Sequence, residues 1–60
     1  MNDIEHEIYD IAKKENFTSD DLISEAECVE EYYEWIHLSL LGYTSKSLRA
    51  TADILKKERK

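Results

Sequence analysis

A chain of sixty residues with no proline and a single glycine, Gly42, has almost no means of interrupting a helix. Proline removes an amide donor and collides with the preceding turn, and glycine carries the largest backbone entropy cost. Their near absence predicts long helical runs with few breaks. Sixty residues make one domain, residues 1–60, and a chain of this size buries only about 60% of the surface its unfolded form exposes. Domains this small usually need a staple or a partner. Cys28 is the sole cysteine, so no intrachain disulfide can form. A lone thiol behind the acidic start MNDIEHEIYD, which is wrong for a secretory or transit signal, fits a reducing cytoplasm. No apolar run approaches the ~18 residues that span a membrane. The hydrophobic content of 42% is too high for a disordered acidic tail. Size and composition together favour a tight bundle or oligomerisation.

The periodicity divides the chain into three helices, about 2–15, 19–41 and 45–58. In the first, Ile4, Ile8, Ile11 and Ala12 share one face, Asn2 or Asp3 caps the start, and Lys13 and Lys14 suit the C-terminal end of the dipole. ENFTSDD connects it to the second, with Phe17 as a plug at the corner. Thr18 and Asp21 approximate a capping box. Leu22, Ala26, Val29, Tyr33, Ile36 and Leu40 then alternate in steps of four and three, a seam sustained to the stop at Gly42. A cap at Thr44 or Ser45 opens the third helix, whose inner face is Leu48, Thr51, Ala52 and Leu55. At ~100° per residue, Lys46, Arg49, Lys56, Lys57 and Lys60 form a basic stripe on another side, with Asp53 placed to pair with Arg49 or Lys57. The expected architecture is all-α: a small three-helix bundle with a long central helix.

Charge is segregated along this architecture. Residues 1–43 hold twelve carboxylates against Lys13 and Lys14, a balance of −10, and residues 44–60 hold six basic groups against Asp53 and Glu58, a balance of +4. The acidic part repels a phosphate backbone and the tail tolerates one. Equally, the two ends can neutralise each other when the chain folds back on itself.

The stretch ECVEEYYEWIH, residues 27–37, concentrates this chemistry. With the seam facing the core, Glu27, Glu30, Glu31 and Glu34 group on the far side as an acid ridge, and Cys28, Tyr32 and Trp35 flank the seam. Tyr32 and Trp35 are either core-edge residues with polar atoms in water or anchors for a partner. The ridge is either a solvated face or a surface for a basic partner, since carboxylates on a rigid helix can imitate phosphates and steer association. Leu38 and Leu41, with Ile23, point toward the ridge side, more apolar surface than two short neighbours can cover. A homodimer through this half of the second helix is the simplest account, and a different protein the alternative.

Catalytic and metal chemistry find little support. Glu34 and His37 form one E-x-x-H, where di-iron bundles use two such motifs and two further glutamates; an edge-of-core histidine is the plainer reading, and no metal is expected. His6, with Asp10 a turn later, reads as solvated. Cys28 lies among glutamates, which oppose its ionisation. The chain has no phosphate loop or zinc spacing, and sixty residues offer no deep pocket in which to tune a carboxylate. No enzyme activity and no cofactor are expected.

Two binding functions remain, beside a plainer third, an assembly or adaptor subunit whose only activity is self-association. The leading expectation is a cytoplasmic regulator or inhibitor of a larger protein, the kind of compact acidic protein typical of phages and mobile elements. Its partner presents a basic or nucleic-acid-binding surface to Glu27, Glu30, Glu31 and Glu34, with Trp35, Leu38 and Leu41 as anchors. The alternative is a small DNA-binding regulator built on residues 34–56. IHLSLLGYTSKSLRATADIL resembles a generic helix-turn-helix, with Gly42 at the turn and Ser45, Lys46, Ser47, Arg49 and Lys56 toward the groove. It departs from that pattern in the acidity of its first helix and in the bulk of Leu38.

Overall fold

Each helix begins at a side chain that takes up the free amides of its first turn. In the computed structural model, which describes residues 2–58, the elements are α1 (Asp3–Glu15), α2 (Ser19–Tyr32), a single 3-10 turn (Leu38–Leu40) and α3 (Ser45–Glu58). Asn2 accepts the Glu5 N–H at 2.8 Å and Glu5 reaches back to the Asn2 N–H. Thr18 and Asp21 make the same reciprocal pair at the start of α2. Thr44 Oγ1 accepts the Ser47 N–H and donates to Ser47 Oγ at the start of α3. Such caps contribute about 1 kcal/mol each, because the first four amides of a helix have no partner inside it. No strand occurs among the described residues, and the chain is an all-α three-helix bundle.

The core draws on every element. Ile8 and Ala12 come from α1, Leu22 and Ala26 from α2, Leu40 from the 3-10 turn, and Leu48, Ala52 and Leu55 from α3. Phe17, Ile23, Val29 and Tyr43 pack around this cluster. Thr51 is buried among them and is satisfied by donating to the Ser47 carbonyl, as a hydroxyl one helical turn along can.

Two details of the expected architecture are corrected. The central element is α3, which packs against both α1 and α2, while the backbones of α1 and α2 do not approach each other. Nor is α2 long: it ends at Tyr32, not near residue 41, and Tyr33 caps it in the left-handed region at φ 55°. The seam is therefore real only as far as Val29. Tyr33 and Ile36, expected to continue it, are exposed, and Leu40 reaches the core from the 3-10 turn instead. Beyond Tyr33, the Ile36 and His37 amides donate to the Glu25 carboxylate rather than along a helix.

Polar bonds tie α1 to the rest of the bundle, and the ion pair among them, Lys13 with Glu58, runs opposite to the expected pairing of acidic N-terminal part with basic tail. Tyr9 on α1 donates to the Glu58 carboxylate at the end of α3, and Lys13 Nζ lies 3.3 Å from the same group. Tyr43 donates to Glu7 at 2.7 Å. The bond to Glu58 raises the Tyr9 hydroxyl's pKa, the bond to Glu7 raises that of Tyr43, and Tyr9 followed by Lys13 lowers that of Glu58. A phenol with a raised pKa adds stability that is complete below its unfolded value near 10 and is lost as pH climbs through the folded value. Glu58 adds stability above the ordinary glutamate range that is lost as pH falls through its lowered value. The bundle is thus expected to loosen at both extremes. In Tyr9→Phe the alkaline loss should shrink, as thermal unfolding followed from pH 8 to 11 checks; an unchanged alkaline limb would remove Tyr9 from this role.

Candidate functional site

Twelve residues, 33–44, join α2 to α3, and a buried carboxylate organises their first half. Glu25 sits on the inner face of α2, between Leu22 and Val29 in helical register, and is fully buried. Its carboxylate accepts the Ile36 N–H, the His37 N–H at 3.2 Å and the His37 ring Nδ1–H at 2.7 Å. A buried carboxylate is tolerated only when donors surround it, and three converge here. The His37 ring also lies against Phe17, with centroids 4.5 Å apart. Farther along, the half-buried Trp35 donates its indole N–H to the Tyr43 carbonyl at 2.9 Å. The connection is therefore fixed at Ile36, His37, Trp35 and Tyr43, the last tied to α1 through Glu7.

This anchoring turns apolar side chains outward. Six large hydrophobic residues are exposed among the described residues, and five of them, Tyr32, Tyr33, Ile36, Leu38 and Leu41, lie within residues 32–41. Leu38 is 87% exposed and Tyr33 83%, too open to add to the core. Of the expected anchors, Leu38 and Leu41 are on this surface, while Trp35 is half-buried and bonded internally.

The expected acid ridge is divided. Glu27, Glu30 and Glu31 are exposed on α2, but Glu34 belongs to the connection rather than to the helix. Glu30 is taken up by Arg49, whose Nε and Nη2 donate to its two oxygens at 2.7 and 2.9 Å. That fork lowers the Glu30 pKa. Glu27, Glu31 and Glu34 make no salt bridge among the described residues.

The expected DNA-reading set is altered as well. The segment before Gly42, which a helix-turn-helix requires as a helix, is a single 3-10 turn, because the chain left the helical path at Tyr33. Arg49 is occupied by Glu30, Ser47 serves the cap of α3, and Ser45 is half-buried. Lys46 and Lys56 are exposed, Lys57 pairs with Asp53 as one of its expected partners, and Lys60 lies outside the described residues. Glu34 and His37 share no helix face, and His37 directs Nδ1 at Glu25 instead. His6 and Asp10 lie 3.3 Å apart on the exposed side of α1. Cys28 is half-buried. A cleft of about 210 Å³ at the α1–α2 corner, lined by Lys13, Phe17 and Leu55 among others, falls short of ordinary ligand pockets.

Sequence reasoning passed over Glu25, Tyr33 and Ile36. A signal for the first was present: Glu25 lies three residues after Leu22 and four before Val29, inside the apolar arc, where a charge demands donors from elsewhere in the chain. Compared with models of protein families, with curated proteins and with solved structures, the chain has no significant match.

Proposed function

We propose that this chain is a small non-enzymatic binding protein, a regulator or inhibitor that docks a larger protein through the surface of residues 32–41. The observation that carries this reading is the crowding of five of the six exposed large apolar side chains among the described residues into residues 32–41, the last residue of α2 and the anchored connection that follows it. Apolar patches on small proteins mark interfaces, and a fixed loop loses little entropy on docking. The partner's chemistry follows from the rim. No lysine or arginine occurs from Glu15 to Ser45, and Glu27, Glu31 and Glu34 make no salt bridge among the described residues. The partner is accordingly an apolar surface edged with lysine or arginine. A second copy fits less well, because a two-fold contact through this patch would bring the two sets of glutamates together.

Light scattering at low and high salt, with and without a generic DNA duplex, tests the reading. The expected result is a monomer whose mass the duplex does not change. A salt-sensitive complex with the duplex would overturn it in favour of DNA binding through α3, and a stable dimer would replace the foreign partner with a second copy. Against a partner captured on the immobilised protein, Glu31→Lys with Glu34→Lys should weaken binding at least about tenfold, mostly through slower association. Unchanged binding would remove the glutamates from the interface.

A further inference from the structure

The connection at Tyr33 contradicts its own local sequence. Residues 19–41 contain no glycine or proline, and Val29, Tyr33, Ile36 and Leu40 carry on the spacing of Leu22 and Ala26. Local preference is therefore a helix that continues, with Tyr33 and Ile36 turned toward the protein body. The fold instead places Tyr33 in the left-handed region, which disfavours a side chain, and leaves both residues in water. A departure from local preference that also exposes apolar surface needs a specific force and usually serves a function.

Glu25 supplies the force. In a continued helix the Ile36 N–H would donate to the Tyr32 carbonyl and the His37 N–H to the Tyr33 carbonyl. Both amides donate to the Glu25 carboxylate instead, and the His37 ring adds a third bond. Hydrogen bonds to a charged group are about twice as strong as neutral ones, and leaving this buried carboxylate without donors carries a further desolvation cost. Continuing the helix would remove all three donors at once. The chain is long enough for the competing path. Helix through His37 adds five residues, ~7.5 Å, and residues 38–44 still span up to ~25 Å back to α3.

We infer that Glu25 is the positioning residue of the binding surface: its carboxylate latches Ile36 and His37, stops α2 at Tyr32, and so holds Tyr33, Ile36 and Leu38 outward. Without the latch, α2 continues through about His37 and the patch is dismantled. This inference rests on the reading of residues 32–41 as a docking surface only for its functional consequence. The latch itself is a property of the isolated chain.

Amide hydrogen exchange and backbone chemical shifts on the full chain test it. In the unaltered protein the Ile36 and His37 amides should be protected although they lie in a loop. Glu25→Leu keeps bulk and removes the acceptors. Residues 33–37 should then move to helical shifts, with those of α1 and α3 retained, and emission from Trp35, the sole tryptophan, should change. Loop shifts persisting at 33–37 in a folded Glu25→Leu would overturn the proposal. Should that variant fail to fold, Glu25→Gln decides: its single carbonyl acceptor should speed exchange at Ile36 and His37 at least about tenfold, with the helical amides unaffected. Unchanged exchange at both would sink the latch. A captured partner lost together with the latch would link it to docking. Helical shifts with undiminished binding would leave the latch standing and move the docking surface elsewhere.

Discussion

Leu48→Ala is expected to remove more than half of the protein's stability. Leu48 is fully buried on α3, the helix that packs on both others, so its side chain belongs to the core that all three helices share. Truncating a buried leucine costs about 2–5 kcal/mol, through lost transfer energy and the cavity left behind. A sixty-residue domain has roughly 3–9 kcal/mol in all, at about 0.05–0.15 kcal/mol per residue. No disulfide limits the unfolded state, because Cys28 has no partner cysteine. Urea unfolding followed at 222 nm should show the midpoint falling by more than half or the folded baseline vanishing. Leu38→Ala is the internal control: with its side chain 87% exposed, it should stay within about 0.5 kcal/mol of the parent. Equal losses from both would mean that the core is not where the packing places it.

The parts of this fold that follow local rules were legible in the sequence. Cap chemistry announces the helix starts, at Asn2 or Asp3, at Thr18, and at Thr44 or Ser45, and the structure uses Asn2, Thr18 and Thr44. The inner face of α3, at Leu48, Thr51, Ala52 and Leu55, is buried as its spacing predicts. The end of α2 was not legible, because nothing local marks it. Tyr33 has no backbone freedom that glycine would have signalled, and the apolar spacing runs straight through it. The break depends on a bond between residues eleven and twelve positions apart, Glu25 to Ile36 and His37. Such a bond becomes visible only when a carboxylate inside an apolar arc is asked where its donors are. The same misjudged boundary moved Glu34, Trp35, Leu38 and Leu41 off one helix. Leu38 and Leu41 join the exposed patch, Glu34 stands in the connection, and Trp35 turns partly inward. The pairing of Glu30 with Arg49 was equally hidden, since segregated charge says that ends can meet but not which residues do.

Tyr33→Asn together with Leu38→Ser should abolish docking while leaving stability unchanged or slightly raised. These are the two most exposed large apolar residues among those described, and neither contributes to the core. Asparagine tolerates the left-handed backbone at position 33 better than tyrosine does, so the latch should survive the change. Anchors at the centre of an interface cost at least about 2 kcal/mol each when truncated, so the pair should weaken a captured partner more than about a hundredfold, chiefly through faster dissociation. The charge reversals at Glu31 and Glu34 act mainly on association and fade at high salt; the apolar pair should not fade. Replacing Lys46 and Arg49 by alanine touches neither mechanism, since Arg49 already serves Glu30, and should alter partner binding little. Binding kinetics of these three double variants at two salt concentrations separate the mechanisms. If the Lys46 and Arg49 pair proved the damaging one and the Tyr33 and Leu38 pair the silent one, the docking face would be α3, and residues 32–41 would be surplus apolar surface.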